Sequence, residues 1–565
     1  MKFGPALLLA LCGLLVPGFS LDRSAFSFTH YNLDLRVEPE QHRLSARGTI
    51  TLRNDADQPQ KSAVLQISSS LDWRSIRIND NPVQFVSQVY TSDIDHTGAL
   101  SEAIVTLPRE VPPHRTVDVQ VGYEGVIPLD LTRLTRIGVP EERAQHSDWD
   151  QISPRCTAIR GIGYVTWYPV ATEAAYLSDS NSVFEAVGEW QAKEVGSEMM
   201  LSFSTSTPAV TLISGALDEP ASAHFAVKDS RKVSSFHLTN RSASVPSFLL
   251  GDYRLVEYSP AAKVYHLPGH ENAAQLYGDE IRRLETFISW LGPQHRPVIL
   301  AEVADDLATP FEADQVLLTP LNNDPRSFDV HLVHALVHSY FQSPRAWIDE
   351  GLAHFAQALW REQQAGRQGA LEYMAFYRKA LVDAEKAASG GDSSTRQSLI
   401  LARQPDYYRA KAMFVWWMLR DMVGEVALKK AIAAYRPEYD DRPSYMQKLI
   451  EGESHRDLEW FFDDWVYRDH GLPDFRIVSA YTRPLLPGGY LITVSLENLR
   501  AAAAEVPVRV RVPGGDVTSR VEVHGKSTAV VRIELPSPPR EVVVNDGSVP
   551  EENMEDNTFV VDPAK

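Results

Sequence analysis

The chain has 565 residues, of which 44% are hydrophobic and 23% are charged, and its formal net charge at pH 7 is -19. This composition is typical of a globular protein with several domains and argues against a disordered chain. The negative charge would repel phosphate backbones, and no basic run reverses it locally, so we expect no nucleic-acid partner.

Residues 1–20, MKFGPALLLALCGLLVPGFS, have the pattern of a secretory signal peptide. Lys2 precedes an apolar stretch that ends near Val16, and small residues lead to Ser20. The apolar part is shorter than the ~20 residues of a membrane-spanning helix, and no later stretch reaches that length. We therefore expect cleavage near Ser20 and an exported protein, periplasmic or extracellular, without a membrane span. An uncleaved N-terminal anchor is the alternative.

Cysteine usage is sparse. Cys12 would leave with the signal peptide, so the mature protein is expected to keep Cys156 alone. One thiol forms no internal disulfide, and Cys156 is interpreted as a packed small residue.

Residues 21–260 are predicted to form an N-terminal β-rich domain. Apolar residues alternate with polar ones from Tyr31 to Val37, and similar short runs recur. A period of two indicates strands with one buried face. No long helical pattern is evident in this part, so we expect the strands to continue without a long helix between them.

Helical patterns dominate residues 261–475, which are predicted to form an α-rich domain. Tryptophans that fall on the helical stripes are interpreted as core residues, namely Trp347, Trp416, Trp417 and Trp465. From residue 476 to 565 the alternation returns, with Gly, Pro and Asp turns between short runs, and predicts a C-terminal β-sandwich. The predicted helices of the middle domain are 272–292, 331–343, 346–363, 368–388, 406–423, 425–435 and 454–468.

Two histidines at helical spacing stand in the segment HALVH. His334 and His338 are four residues apart and would lie on one helix face, the arrangement with which HExxH metalloproteases hold zinc. Pro344 should turn the chain shortly afterwards. Glu350 follows that turn by about as many residues as His338 precedes it, so at ~1.5 Å per residue the two would face each other. A zinc site with an open fourth position is predicted.

Other interpretations of these histidines stay open. A histidine pair on an amphipathic helix is often structural, with no metal bound. His331, one turn earlier, is interpreted as a helix-face residue. His354, one turn after Glu350, is interpreted as a partly exposed helix-face residue or as a side chain that orients Glu350.

The segments HALVH and WIDEGLAHF resemble the HExxH and WLNEGFA segments of the membrane alanine aminopeptidase family of zinc metallopeptidases. HYNLDLRVEPEQHRLSARGTITLRND is similar to that family's opening strands, SFLLGDY to a domain junction, and FFDDWVYRDHGLPDF to the passage into a third domain. The resemblance implies a multidomain α+β fold: an N-terminal β saddle, a thermolysin-like α-rich catalytic domain and a C-terminal β-sandwich. It also implies one Zn²⁺ ion and peptides or protein N-termini as partners.

Ala335 departs from the family, because the resemblance implies a glutamate between the two histidines. That glutamate takes a proton from the attacking water. Without it, general acid-base assistance of ~10²- to 10⁴-fold is lost, which costs about 3 to 5 kcal/mol of barrier. The connection between His338 and Glu350 is also shorter than the family's usual one, at eleven residues.

The remaining catalytic positions that the resemblance implies have only partial matches. Glu312, in TPFEADQ, is the candidate for the family's glutamate that grips a free amino terminus, or for a substitute base; the alternative is an exposed strand-end acid. Tyr407 and Tyr408, before Lys411, are candidates for the tyrosine that stabilises the oxyanion, although Tyr408 is one residue further from the lysine than usual. Both rings could instead pack the start of a helix.

Two hypotheses for function follow. One is an exported zinc peptidase of the aminopeptidase type whose hydrolysis is impaired at Ala335. The other is a non-catalytic pseudopeptidase that serves as a peptide-binding or scaffold protein.

Overall fold

The computed structural model describes residues 21–179, 182–205, 209–214, 226–228, 231–239, 245–259, 262–322, 324–390, 398–486 and 488–561. The predicted signal peptide and Cys12 lie outside these residues. No described helix combines the length and the apolar character that crossing a membrane would require.

The N-terminal part is rich in strands that alternate buried and exposed side chains, as predicted. The strands are β1 Phe26–Glu38, β2 Arg43–Asn54, β3 Gln60–Ser68, β4 Leu71–Ile78, β5 Asn81–Pro82, β6 Phe85–Thr91, β7 Ala99–Val111, β8 Thr116–Val126, β9 Cys156–Ile159, β10 Glu198–Thr205, β11 Val210–Ile213, β12 Ala226–Lys228, β13 Arg231–Thr239 and β14 Phe248–Gly251. In the described residues they form an eight-stranded sheet in the order β12-β13-β10-β1-β2-β8-β4-β5 and two three-stranded sheets, β3-β7-β6 and β11-β14-β9.

Three helices of the described residues interrupt these strands, two of them short. They are α1 Thr132–Arg136, α2 Glu141–Ser147 and α3 Ser182–Glu194. The expectation that no long helix occurs here was wrong, because α3 has 13 residues and packs Trp190 edge-on against Phe28 at 5.0 Å between ring centroids. The buried face of α3 includes the polar residues Gln191 and Glu194, whereas the apolar Phe184 is 53% exposed. The sequence of α3 therefore does not show a clear apolar stripe at helical spacing.

A five-stranded sheet leads into the helical middle region. Its strands are β15 Arg254–Ser259, β16 Ala262–His266, β17 Val298–Glu302, β18 Phe311–Ala313 and β19 Val316–Thr319, in the order β15-β16-β17-β19-β18. β15 and β16 pair with each other on the two sides of the predicted domain boundary at residue 260. A small core that includes Trp149, Cys156 and Tyr265 joins this sheet to the β9-β11-β14 sheet.

The middle region is helical, as predicted. Its α-helices are α4 Glu271–Ile288, α5 Asp329–Tyr340, α6 Ala346–Gly390, α7 Ala412–Val423, α8 Glu425–Ala434, α9 Tyr445–Ser454 and α10 Glu459–Phe462; π-helical segments are Asp406–Lys411 and Asp463–Tyr467. Short 3₁₀ helices in the described chain are Pro39–Gln41, Ser289–Leu291, Pro325–Phe328, Leu399–Leu401 and Pro437–Tyr439.

Two of the helix predictions differ from the observed helices. The predicted helices 346–363 and 368–388 are parts of α6, which departs from helical geometry at Ala365 and at Gly366, where φ is 70°. The helix predicted at 454–468 was wrong at its start, because Ser454 ends α9 and α10 begins only at Glu459.

The C-terminal part consists of two sheets that share one core with the helices. Its strands are β20 Phe475–Pro484, β21 Tyr490–Asn498, β22 Ala504–Val512, β23 Gly515–Val523, β24 Thr528–Leu535, β25 Glu541–Val544 and β26 Thr558–Val560, in the orders β20-β21-β24 and β23-β22-β25-β26. The predicted core tryptophans, Trp347, Trp416, Trp417 and Trp465, are all buried in that core. The β, α, β order of the chain is confirmed.

Candidate metal centre

A helix hairpin positions the predicted ligands. α5 ends at Tyr340, the next residue is extended, and α6 begins at Ala346. The backbone N–H of Ser343 donates to Asp349 Oδ1 at 2.9 Å, which ties the turn to the first turn of α6. The last turn of α5 and the first turn of α6 therefore lie side by side, and both are buried.

The structure brings His334, His338 and Glu350 together. The two Nε2 atoms are 3.1 Å apart, and Glu350 approaches them with Oε2 at 3.6 Å from His334 Nε2 and Oε1 at 3.6 Å from His338 Nε2. Zinc bonds of 2.0–2.1 Å at tetrahedral angles place neighbouring ligand atoms about 3.3 Å apart. The observed distances lie on either side of that value, so the three side chains fit a zinc ion. We call them the cradle.

The pKa shifts of His334 and Glu350 favour metal binding, whereas that of His338 opposes it. Burial lowers the pKa of His334 to about 4 and outweighs the attraction of Glu312 and Glu350. Burial favours the neutral form of Glu350, but Arg409 and the histidines hold its pKa well below its usual range. Burial lowers the pKa of His338, yet the carboxylates of Asp349 and Glu350 raise it further, so the net shift is upward. A neutral imidazole and an ionised carboxylate are the forms that bind metals.

Each cradle histidine has a carboxylate behind it. Glu312 Oε2 is 3.4 Å from His334 Nδ1, and Asp349 Oδ2 is 3.6 Å from His338 Nδ1. Both Nδ1 atoms lack a hydrogen-bond partner of good geometry within the described chain, so these contacts are ion-pair distances rather than hydrogen bonds. Carboxylates in this position help to orient metal-binding histidines.

Glu312 lies on the edge strand β18 and lines the cavity beside the cradle. Its Oε1 accepts a hydrogen bond from His331 Nδ1 at 2.7 Å, so His331 is not only a helix-face residue. Burial raises the pKa of Glu312, but His334 and His331 outweigh burial and bring it to about 2. A carboxylate with so low a pKa is a weak base at neutral pH.

Ala335 lies between the cradle histidines in sequence and has no exposed surface. It belongs to the same apolar core as the neighbouring Leu336 and Val337. The chain therefore has a methyl group at the position where the family resemblance implies a general base.

The two candidate tyrosines differ in position. Tyr408 lines the cavity next to the cradle. Tyr407 is buried, with its ring 5.5 Å from Lys411 Nζ, and is not among the residues that line that cavity. Of the two, Tyr408 is placed to reach a ligand.

His354 is 7% exposed, so the interpretation of a partly exposed residue was wrong. Its ring packs edge-on against His334 at 5.2 Å, and neither of its nitrogens has a partner among the described residues. His334, Glu350 and His354 form a second trio whose ligand atoms lie within 4.8 Å of one another. The cradle is the tighter set, so we prefer it as the ligand trio. His354 lies one turn from Glu350, and that spacing is the sequence signal of its proximity.

Arg409 was missed by the sequence analysis. Its Nε donates to Glu350 Oε2 at 3.0 Å, although 59 residues separate the two in the chain. No motif predicts this contact. Arg409 comes from the π-helical segment Asp406–Lys411, which packs along α6.

A cavity of about 340 Å³ opens beside the cradle, between helices and loops of the N-terminal part and the middle region. One wall is apolar and includes Ile162, Val187 and Phe311. Tyr164 completes this wall, and its ring lies 3.7 Å from the guanidinium of Arg160. Polar and ionisable residues also line the cavity. These are Arg133, Gln191, Glu312, Asp314, His334, Glu350, Asp406, Tyr408 and Arg409.

A scan of protein-family models found no match, and a search of curated proteins found none. Solved structures do match. Legionella pneumophila aminopeptidase A, in a crystal structure with aspartic acid, is 12% identical with a TM-score of 0.56, over 93% of this chain and 59% of that one. An M1 zinc metallopeptidase from Deinococcus radiodurans is 16% identical with a TM-score of 0.49, over 79% of this chain and 95% of that one. At such identities the Legionella structure shows a shared fold.

Proposed function

We propose that this chain is an exported zinc-binding protein of the alanine aminopeptidase type, with the saddle, thermolysin-like and sandwich domains of that family. It binds peptides or protein N-termini and hydrolyses them poorly. The observation that carries the proposal is the convergence of His334, His338 and Glu350, with an alanine at position 335 between the two histidines in sequence.

The cradle would hold the zinc ion through two imidazole nitrogens and a carboxylate. A bound zinc ion would supply Lewis-acid polarisation of a peptide carbonyl. Glu312 and Asp349 would keep the two imidazoles oriented. Tyr408 would donate a hydrogen bond from its hydroxyl to the oxygen of a bound peptide.

Proton transfer is the step for which the chain lacks a residue. Ala335 has no carboxylate, and Glu312 is bonded to His331 and has a pKa of about 2. Neither can accept a proton efficiently at pH 7. The expected deficit is ~10²- to 10⁴-fold in rate.

The alternative is a non-catalytic pseudopeptidase that acts as a peptide-binding or scaffold protein. Ala335 favours this function, because the cavity and the cradle persist without the base. The two functions share the metal site and differ in whether any hydrolysis remains.

Metal content tests the site. The purified wild type should carry close to one zinc per chain, and His334→Ala should carry almost none. Thermal unfolding of both proteins establishes that the variant is folded. Equal zinc in the two proteins would remove the cradle from the proposal.

Hydrolysis of an aminoacyl chromogenic substrate tests the base. Ala335→Glu should raise the rate about 10²- to 10⁴-fold over the wild type. Ala335→Gln adds similar volume without a carboxylate and should stay at the wild-type rate. A fast wild-type enzyme would contradict the impairment. A folded, zinc-loaded Ala335→Glu protein without activity would favour the pseudopeptidase.

A further inference from the structure

Arg409 has hydrogen-bonding capacity that the described protein does not use. Its guanidinium lines the cavity, and its side chain is 37% exposed. Nε donates to Glu350, but no residue of the described chain accepts a hydrogen bond from its Nη atoms. The group lies 5.6 Å from the ring of Tyr408, which limits its movement.

Arg133 is the other arginine that lines this cavity, and all three of its guanidinium nitrogens donate hydrogen bonds to the protein. Nε and Nη2 donate to the two carboxylate oxygens of Asp148 at 2.7 Å each. Nη1 donates to the backbone carbonyls of Asp93 and Gly163. Arg133 therefore holds the wall of the cavity together, whereas Arg409 is available to a ligand.

We propose that the Nη groups of Arg409 bind a free carboxylate of the ligand, so that the cavity selects short apolar peptides with an unblocked carboxyl terminus. This inference rests on the proposed function as a peptide-binding site. It deepens that function because a guanidinium that lines the cavity attracts a carboxylate of the ligand.

Three features favour this ligand class. A guanidinium fork matches a planar carboxylate better than a single charge would. The apolar wall with Ile162, Val187 and Phe311 suits an apolar side chain. The cavity volume of about 340 Å³ is at the low end of the roughly 300–1,000 Å³ that is usual for small-molecule sites. A dipeptide fits this description better than a long peptide.

A different role for Arg409 is stabilisation of negative charge that develops during hydrolysis. That role would affect turnover and would leave the ground-state affinity for a peptide unchanged. Binding measurements therefore separate the two roles.

The experiment is calorimetric titration with the dipeptide Phe-Leu and with its C-terminal amide, which differ only in the terminal charge. The zinc-loaded wild type should bind the free acid about 10- to 100-fold more tightly than the amide. Arg409→Gln should bind the two alike, and Arg409→Lys should retain part of the preference because it keeps the charge without the fork.

Two controls accompany the titration. Arg47→Gln makes the same change in net charge at an exposed position away from the cavity and should keep the wild-type preference. Zinc content and thermal unfolding of each Arg409 variant show whether the cradle survives the loss of its contact with Glu350.

The outcomes separate the inference from the function on which it rests. Equal wild-type affinity for acid and amide would overturn the role of Arg409 and leave the peptide-binding function standing. An undiminished preference in Arg409→Gln would also overturn that role. Binding of neither ligand by the zinc-loaded wild type would overturn both.

Discussion

Two buried polar clusters adjoin the π-helical segment Asp406–Lys411, and they differ in how charge is balanced. Around Lys411, Nζ donates to Glu385 Oε1 at 2.5 Å and also to Asp469, and all three groups are buried. In the cradle, two histidines and Glu350 meet with Arg409 as the cation beside them. In the first cluster the two carboxylates share one lysine, whereas in the cradle the cation lies to one side, on Glu350.

The difference shows which cluster is structural and which is suited to a ligand. A buried charge is costly unless it is paired, and Lys411 is paired with two carboxylates. The cradle instead brings two imidazole nitrogens and a carboxylate within 3.6 Å of one another. Lone pairs that converge in a buried site favour a cation from solution.

Removal of Lys411 should have the largest effect on stability. Lys411→Met leaves the buried carboxyls of Glu385 and Asp469 without their cation, so we expect a loss of about 3 to 5 kcal/mol in the free energy of unfolding. Guanidinium unfolding measures it.

Lys379→Met is the matched control. Lys379 pairs with Asp383 at 2.6 Å on the surface, where its side chain is 85% exposed. Exposed pairs contribute about 0 to 1 kcal/mol, so this variant should be close to wild type. Similar losses in the two lysine variants would show that the Lys411 cluster has no special structural role.

Zinc should stabilise the protein through the cradle. For a metal-free preparation, free zinc at about a thousandfold above Kd adds about 4 kcal/mol to the free energy of unfolding. Thermal unfolding with and without zinc should show the shift in wild type. His338→Ala should lose it, because one of the three ligands is gone.

His524→Ala controls for zinc bound elsewhere, since His524 is exposed and lies beside Glu522 in the C-terminal region. This variant should keep the wild-type shift. A shift of equal size in His338→Ala would place the stabilising ion outside the cradle and would remove the contrast between the two clusters.

The sequence predicted those parts of the site that local geometry determines. Helical spacing places His334 and His338 on one face, and a short turn restricts where Glu350 can lie. The order of β, α and β regions was also predictable, because hydrophobic periodicity reports it directly. α3 was missed since its buried stripe is narrow and Phe184 is exposed.

Contacts that depend on tertiary packing were not predictable. Arg409 reaches Glu350 from 59 residues away, and Glu312 reaches His331 and His334 from a separate edge strand. Sequence spacing carries no information on such approaches. The burial of His354 depends in the same way on neighbours such as Tyr377, 5.6 Å away between ring centroids.

Glu194 is a third buried carboxyl group, and its hydrogen-bond partners are neutral. Its replacement should change the free energy of unfolding less than the replacement of Lys411. It accepts hydrogen bonds from the hydroxyls of Tyr31 at 2.9 Å and Tyr168 at 3.3 Å. Burial raises the pKa of Glu194 to about 7, and the hydroxyl bonds offset burial only in part. The Lys411 cluster, in contrast, pairs its carboxylates with a cation.

The pKa of Glu194 predicts how stability changes with pH. Below the unfolded pKa of about 4.3 the carboxyl is protonated in both states, and between there and pH 7 it ionises mainly in the unfolded state. Stability therefore falls as pH rises through this window. Glu194→Gln removes that fall, so the variant should gain on the order of 1 to 3 kcal/mol relative to wild type between pH 5 and pH 8. Urea unfolding at the two pH values measures the gain. If the difference in the free energy of unfolding between variant and wild type were independent of pH, the neutral hydroxyls would suffice to keep Glu194 ionised. A buried carboxylate at this position would then not need a cation such as the one that Lys411 provides to Glu385 and Asp469.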